Sequence, residues 1–315
     1  MPSLCCGDMS SQPKESATFK FSISLLRNDR IMIFYRIGLL FCLCQLVQGF
    51  TTRSVQSETF GLLSSLAATP TDDITGVTLK IAFDSQGGVA DLSSEKSERF
   101  TCGESLDMVH RLRRDSDAVL VGRSTVEVDD CTLTVRRVEL PSSRKQPVRV
   151  IVDPKLELKL DDFKIFNDGL ETIVIHALAD ENEERINDVP YIEATQKYPN
   201  VSFVGIRPIY EDGKLRLCTK HMCEILADEF DIHHIMVEGG PNTALSFLKD
   251  GTVDRAILVY APISFKDPLM SNMSTTTFQQ AGLEQIGTYS LGVDSVQCYS
   301  RPDIPWPSTE ASSWP

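Results

Sequence analysis

The chain has 315 residues, of which 42% are hydrophobic, and its formal net charge is −13. This length and composition allow one substantial core together with an extension. An acidic chain that lacks a compensating basic block excludes nucleic acid as a partner, because phosphate backbones are bound by clustered lysine and arginine. The composition favours an enzyme that acts on small molecules.

The nine cysteines do not form a recognisable metal or redox motif. No CxxC pair occurs in the sequence, which argues against a zinc ribbon or a thioredoxin-type site. Cys218 and Cys223 flank His221, a spacing that suits a metal but is more simply explained by residues on one helix. We therefore expect no metal, and reduced, mostly buried thiols between Cys102 and Cys298.

The first 76 residues predict a targeting leader that is largely disordered. Residues 32–49 place Arg36 before a short apolar run and small residues after it, the layout of a signal peptide. The run is too short for a membrane span, which needs roughly 20 residues, although an N-terminal anchor is the alternative. Residues 50–71 are rich in hydroxyl groups and poor in acids, which is typical of a transit peptide.

These two parts resemble the plastid leader of algae with secondary plastids. The resemblance implies a plastid location, with the secretory pathway and the cytoplasm as alternatives, and no membrane contact after the leader is removed.

From residue 77 onward, apolar runs alternate with helical patterns. Strands are predicted at 77–83, 118–121, 148–152, 172–176, 235–237, 255–260 and 293–299, and helices at 104–114, 221–230 and 242–249. Strands that alternate with helices predict an α/β fold with a mainly parallel central sheet and helices on both faces. We expect one domain over residues 77–300 and a flexible tail over residues 301–315.

The most informative segment runs from Ile235 to Pro241, where an apolar run ends in Glu238 and two glycines. The glycines permit a sharp turn and close approach of a ligand, and proline suits the first position of a helix. The unpaired amides at that helix start can hold a phosphate. The segment predicts a nucleotide site beside a carboxylate, with a plain strand-turn-helix as the alternative.

A second unusual residue is Lys80, which interrupts the apolar strand predicted at 77–83. A lysine inside a buried strand is costly unless it is paired or faces a pocket. Lys80 is therefore expected either to pair with an opposite charge or to face a pocket.

Four segments, taken in their order and spacing, resemble the reductase domain of bacterial-type riboflavin biosynthesis proteins, which has a dihydrofolate-reductase-like fold. The resemblance covers roughly residues 77–265. The segments are Leu79-Lys80-x-Ala82, Val121-Gly122-x-x-Thr125-Val126-x-x-Asp129-Asp130-x-x-Leu133-Thr134-Val135-Arg136, Gln146-Pro147-Val148-Arg149-Val150-Ile151-Val152-Asp153 and Val237-Glu238-Gly239-Gly240-Pro241.

This resemblance implies hydride transfer from NADPH to C1′ of 5-amino-6-(5-phosphoribosylamino)uracil, giving the ribitylamino form. One alternative is the same reduction of 2,5-diamino-6-ribosylamino-pyrimidinone 5′-phosphate, and another is a non-catalytic relative that binds NADPH. A homodimer is expected. The chain lacks the His-x-Glu and Pro-Cys-x-x-Cys motifs of zinc deaminases, so a separate protein is expected to deaminate.

The resemblance also assigns roles to individual residues. Lys80 and Glu238 are implied to flank the ribose and to move protons, and an ion pair between them is a further hypothesis. The substrate-binding residues are implied to be Ser97, Arg113, Leu133 and Arg136, with the two arginines on the phosphate. The cofactor-binding residues are implied to be Ala82, Arg99, Gly122, Thr125, Asp129, Gly240, Pro241, Asn242 and Thr243.

Several positions depart from the usual family pattern. The turn after the first strand reads Asp84-Ser85-Gln86-Gly87-Gly88 instead of Ser-Leu-Asp-Gly. Pro154 replaces a serine or threonine, Cys131 replaces a proline, and Ile263 replaces a lysine. These departures motivate the non-catalytic alternative.

Overall fold

The computed structural model describes residues 75–94, 99–178, 196–211 and 213–315. The predicted leader, apart from its last two residues, and the predicted substrate residue Ser97 lie outside these ranges.

A nine-stranded sheet forms the centre of the described residues. The strands, in chain order, are β1 (Gly76–Phe83), β2 (Gly88–Asp91), β3 (Ala118–Gly122), β4 (Val148–Val152), β5 (Thr172–Ala177), β6 (Val201–Ile206), β7 (Pro208–Glu211), β8 (Lys214–Leu217), β9 (His234–Val237), β10 (Arg255–Tyr260), β11 (Pro268–Met270), β12 (Glu284–Leu291) and β13 (Asp294–Ser300). The order within the large sheet is β12-β13-β10-β1-β9-β3-β4-β5-β6.

The strands from β10 to β6 in this order are parallel, and β13 and β12 join the sheet antiparallel at the other end. Strands β3, β9 and β10 are buried along almost their whole length. Parallel strands that are covered on both faces require continuous apolar runs, which explains why these segments were predictable.

Helices cover both faces of the sheet, as predicted. The helices are α1 (Gly103–Asp115), α2 (Arg123–Asp129), α3 (Lys164–Asn167), α4 (Thr219–Phe230), α5 (Pro241–Lys249) and α6 (Thr275–Gln280). Helix α1 packs its Met108 and Leu112 onto one face. Helices α4 and α5 pack Leu226 and Phe247 onto the opposite face, where Leu79 of β1 also lies.

Because side chains alternate along a strand, β1 divides its residues between these two faces. Leu79 and Ile81 join the core beneath α4 and α5, whereas Ala82 packs with the residues beneath α1. Lys80 is two residues before Ala82 on the same strand, so its side chain lies on the same side of the sheet, the α1 side.

Two small antiparallel sheets flank the large one. Strand β2 pairs with β11, and β7 pairs with β8. The first of these pairs lies beside β1, to which β2 is joined by the Asp84–Gly88 turn.

The predicted strands and helices all occur, with small differences at their ends. The sequence did not predict β12, because its residues are mostly exposed and carry no buried apolar alternation. Hydrogen bonding to β13 supplies the stabilisation that its own sequence does not indicate. The sequence also did not predict β6, in which half-buried residues interrupt the buried ones. The short elements β2, β7, β8, β11, α2, α3 and α6 were not predicted either, and each has at most two buried residues.

The prediction of a flexible tail over residues 301–315 is corrected by the structure. Trp314 is only 7% exposed, and it packs edge-on against Trp306 with ring centroids 5.2 Å apart. Arg111 of α1 donates from Nε to the carbonyl oxygen of Pro315 at 2.9 Å. Two tryptophans bury enough apolar area to hold a short segment against the α1 side of the sheet.

Among the described residues, no helix is long and apolar enough to cross a bilayer. In the same ranges, no group of three or more His, Cys, Asp or Glu side chains is arranged to hold a metal ion. Cys218 is the residue before α4 and Cys223 lies within that helix.

Candidate active site

Lys80 and Glu238 lie side by side on neighbouring strands. In the parallel pairing of β1 with β9, Thr78 is opposite Met236 and Leu79 is opposite Val237. The next residues, Lys80 and Glu238, therefore continue the same register on the same face, with backbones about 4.8 Å apart. Both side chains are partly buried.

The direct partner of Glu238 is Arg113 of α1. Arg113 donates from Nε to Oε1 at 2.5 Å and from Nη2 to Oε2 at 2.7 Å. Its Nη1 donates to the carbonyl oxygen of Thr134 at 3.0 Å. The two side chains are only 10% and 13% exposed, so this is a bidentate, largely buried ion pair.

This pairing corrects one hypothesis and bears on one prediction. Arg113 was expected to bind the substrate phosphate; in the structure its guanidinium pairs with Glu238 and donates to Thr134, and its contact with the phosphate stays a prediction. An ion pair of Glu238 with Lys80 was the other hypothesis, and among the described residues Glu238 instead forms its ion pair with Arg113. Lys80 acts on Glu238 as a nearby charge.

The charges in this cluster shift the pKa of both proton-carrying groups. Burial alone opposes ionisation of Glu238, but the charge and hydrogen bonds of Arg113, together with Lys80, lower the pKa of Glu238 overall. Burial lowers the pKa of Lys80, and Glu238 opposes that shift only in part. The cluster therefore combines a firmly ionised carboxylate with an ammonium group that releases its proton more readily than a solvated lysine.

A first cavity of about 310 Å³ opens above Lys80 and Glu238. The predicted residues in its wall are Lys80, Ala82, Thr125, Asp129, Glu238, Gly240 and Pro241. The sequence did not predict its apolar wall, which comes from Val89 of β2, Leu269 of β11 and Phe100. These residues lie in weakly patterned segments, so no periodicity indicated that they would close over the cavity.

Helix α5 begins at the edge of this cavity. Gly240 is the residue before the helix and Pro241 is its first residue, and among the described residues no side-chain cap hydrogen bond is formed at this helix start. An uncapped helix start that faces a cavity can hold an anion. Asn242 is exposed next to it.

Two predicted cofactor residues, Gly122 and Thr243, pack against each other. A Cβ at Gly122 would lie 2.5 Å from Oγ1 of Thr243, and a Cβ at Gly239 would lie 2.6 Å from Cβ of Thr243. The side chain of Thr243 therefore fills the space that these glycines leave. The missing side chain of Gly122 permits the contact between α5 and β3, and a role of Gly122 at the cofactor stays a prediction.

A second cavity of about 800 Å³ adjoins the first, and Val128 and Asp129 of α2 line both. Its wall includes the predicted residues Arg99, Arg113, Leu133 and Arg136. Arg99 was expected at the cofactor, but it lies in this second wall, where its charge acts on Arg136. The sequence alone could not show that the segment before α1 turns toward this side.

Arg136 is the strongest candidate for anion binding in the second cavity. Of the neighbouring cations, Arg137 pairs with Asp107 and Lys164 pairs with Asp130, whereas Arg99 adds a further positive charge to the same wall. Within the described part of the chain, the guanidinium of Arg136 has only the hydroxyl of Thr132 as a partner, at 3.2 Å. Burial and the charges of nearby arginines lower the pKa of Arg136, which indicates an excess of positive charge around it.

Leu133 belongs both to the core and to the wall of the second cavity. Its side chain is 2% exposed in the core, and its backbone has a φ of 54°, which is uncommon for a residue other than glycine. The residue also lines the second cavity. Thr132 and Arg136, on either side of this residue, line the same cavity.

A family model described as the RibD C-terminal domain matches residues 77–292. The chain belongs to the RibD C-terminal domain family. The riboflavin biosynthesis protein RibD of Aquifex aeolicus is 37% identical to this chain over 187 residues, which are 59% of this chain and 46% of that protein. The chain therefore spans about half the length of that RibD protein.

A reductase from Archaeoglobus fulgidus is matched over more of its length. It is named 2,5-diamino-6-ribosylamino-4(3H)-pyrimidinone 5′-phosphate reductase, and it is 31% identical over 193 residues, covering 59% of this chain and 80% of that protein.

Solved structures show the same fold for this RibD domain. Acinetobacter baumannii RibD superposes with a TM-score of 0.55 at 23% identity, over 72% of this chain and 58% of that chain. The riboflavin biosynthesis reductase Rib7 of Saccharomyces cerevisiae superposes with a TM-score of 0.52 at 21% identity, over 72% and 90%. The dihydrofolate-reductase-like α/β fold expected from the sequence is thereby confirmed.

Of the departures from the RibD pattern, one lies in a cavity wall and the altered turn after β1 lies outside both walls. Asp84 is fully buried and accepts the backbone N–H groups of Gln86, Gly88 and Phe265, so the altered turn is held by its own carboxylate. Gln86 is exposed. Of the departing residues, Cys131 lines the second cavity, and burial raises the pKa of its thiol to about 12.

Proposed function

We propose that this chain is a reductase of riboflavin biosynthesis that converts 5-amino-6-(5-phosphoribosylamino)uracil to its ribitylamino form with NADPH. The observation that carries the proposal is that Glu238 lines the first cavity, Arg113 lines the second, and their ion pair joins the two. Hydride transfer requires two ligands in contact, and adjoining cavities offer a place for each. The Aquifex relative is named as a riboflavin biosynthesis protein, and the Archaeoglobus relative is named as a reductase of a related pyrimidine 5′-phosphate.

The first cavity fits a dinucleotide cofactor. The uncapped start of α5 at Gly240 offers backbone amides to a phosphate. Thr125 and Asp129 add polar groups, and Phe100 with Leu269 adds an apolar wall. NADPH, when bound, supplies the hydride.

The second cavity fits the sugar phosphate. The unbalanced charge of Arg136 and the hydroxyl of Thr132 suit a phosphate group, because a guanidinium can donate two parallel hydrogen bonds to it. Placing the phosphate at Arg136 directs the other end of the sugar toward Glu238 and the first cavity.

The proton chemistry follows from the shifted groups. When the ribosylamine opens, the C1′–O4′ bond breaks, the nitrogen lone pair forms a C1′=N double bond, and O4′ takes a proton. Lys80, whose pKa is lowered, supplies that proton. Glu238 remains ionised and stabilises the positive charge on the C1′=N group until the hydride adds to C1′.

A second substrate is favoured by a specific observation. The chain matches the Archaeoglobus reductase over 80% of that protein, whose name specifies the diamino-pyrimidinone 5′-phosphate. Reduction of this compound needs the same bond changes at the ribose, so the residues named above serve both substrates.

The test is oxidation of NADPH by the purified chain with each of the two pyrimidines, with NADH as the comparison cofactor. Turnover of the uracil compound supports the first candidate, and turnover of the diamino compound alone supports the second. Binding of NADPH without turnover of either would overturn the enzymatic proposal and support a non-catalytic relative.

We also propose that residues 1–76 direct the protein to a plastid, that the chain forms a homodimer and that another protein carries out the deamination. A fluorescent protein fused after residue 76 would report the location, and secretion or cytoplasmic fluorescence would contradict it. Light scattering of the purified chain would measure the oligomeric state.

A further inference from the structure

His110 occupies a position that the sequence did not assign to the site. It lies on α1 three residues before Arg113, so both side chains leave the same face of the helix. Its side chain is buried, with 3% exposure, and it lies in the wall of the second cavity. Helix α1 thus places one residue against Glu238 and the other at the proposed phosphate site.

The ring of His110 is held by the backbone of Arg136. The N–H of Arg136 donates to Nδ1 of His110 at 3.1 Å. An imidazole nitrogen that accepts a hydrogen bond carries no proton, so the neutral ring must carry its proton on Nε2.

The charge state of the ring is fixed by its surroundings. Burial, followed by the charges of Arg113 and Arg136, lowers the pKa of His110 to about 4, against a smaller opposing effect of Glu238. At neutral pH the ring is therefore neutral. Among the described residues, His110 has no hydrogen-bond partner for Nε2, which leaves this N–H as a fixed donor at the cavity wall.

We propose that His110 contacts the substrate phosphate: Nδ1 fixes the backbone of Arg136, and Nε2–H donates to a phosphate oxygen that the guanidinium of Arg136 also holds. This inference rests on the proposed function, because it assumes a sugar phosphate in the second cavity. A neutral donor orients the phosphate through a hydrogen bond and adds no further positive charge beside Arg113 and Arg136.

Two substitutions separate the two nitrogen atoms. His110→Asn keeps an oxygen near the position of Nδ1, which can still accept from Arg136, but it removes the donor at Nε2. His110→Gln places an amide near Nε2 and removes the acceptor at Nδ1. We expect His110→Asn to raise the KM for the pyrimidine substrate about tenfold with little change in kcat, since one hydrogen bond to a charged group is lost.

We expect the KM of His110→Gln to lie between that of His110→Asn and that of the unsubstituted chain. A KM unchanged in His110→Asn, or an equal loss in both variants, would overturn the contact and leave His110 as a structural support for Arg136. His221→Asn is the matched control, because His221 is exposed on α4, outside both cavity walls.

Two further measurements do not depend on turnover. Calorimetry with ribose 5-phosphate, and with ribose as the comparison, tests the contact even if neither pyrimidine is reduced, so failure of the contact and failure of the proposed function are distinguishable. In the unsubstituted chain, the Nε2 resonance of His110 should shift with ribose 5-phosphate and not with ribose. An unshifted resonance in the presence of bound ribose 5-phosphate would overturn the proposal even if the variants do not fold.

Discussion

Arg113 holds Glu238 by two parallel hydrogen bonds, of 2.5 Å from Nε and 2.7 Å from Nη2. The pair fixes the orientation of the carboxylate and keeps it ionised, while Lys80 lies beside it on the neighbouring strand. Removing one partner of such a buried pair leaves an uncompensated charge, which costs about 3–5 kcal/mol in comparable cases. Because Arg113 is committed to Glu238, Arg136 becomes the proposed phosphate ligand.

Replacement of this carboxylate tests its role directly. We expect Glu238→Gln to lower kcat about 100-fold, because an amide cannot balance the positive charge that develops at C1′. NADPH affinity should remain near that of the unsubstituted chain, as measured by fluorescence titration. Glu310→Gln, at an exposed position, is the control. A normal kcat in Glu238→Gln would refute the role of Glu238 in the chemistry.

Two adjacent arginines provide a matched comparison for phosphate binding. We expect Arg136→Ala to raise the KM for the pyrimidine substrate by about 10- to 100-fold, because hydrogen bonds to a charged phosphate are lost. Arg137→Ala should change KM by less than about twofold, since Arg137 pairs with Asp107 at the surface, where such pairs contribute little. Equal effects of both substitutions would argue against a specific site at Arg136.

The sequence predicted most of the central strands and singled out Lys80 and Glu238 for the same physical reason. Strands β1, β3, β9 and β10 are apolar runs because they are buried, and Lys80 and Glu238 stand out because charges are rare in such runs. The partner of Glu238 was not predictable, because it depends on how α1 packs across β9. The sequence also could not predict which cavity Arg99 lines, because this depends on the path of the chain before α1.

The C-terminal segment should contribute measurably to stability. We expect Trp314→Ala to lower the free energy of unfolding by about 2–4 kcal/mol, because a large buried ring is removed. Trp314→Phe should cost less, since the buried indole N–H of Trp314 has no hydrogen-bond partner among the described residues. Urea unfolding measures both. An unchanged midpoint in Trp314→Ala would show that residues 301–315 do not stabilise the domain.

The pH dependence of turnover distinguishes Lys80 as a proton donor. Burial lowers the pKa of Lys80 below its ordinary value of 10.5, and Glu238 restores only part of it. A group that must be protonated to act loses its contribution as pH rises through its pKa in the folded protein. We therefore expect kcat to fall on the alkaline side, with a midpoint below 10.5.

Lys80→Met should lower kcat about 100-fold and remove this alkaline decline, because no titrating donor remains. Lys249→Met, at an exposed position on α5, should leave both kcat and the pH profile unchanged. If the alkaline decline persists in Lys80→Met, another group donates the proton to O4′, and Lys80 serves only to balance the charge of Glu238.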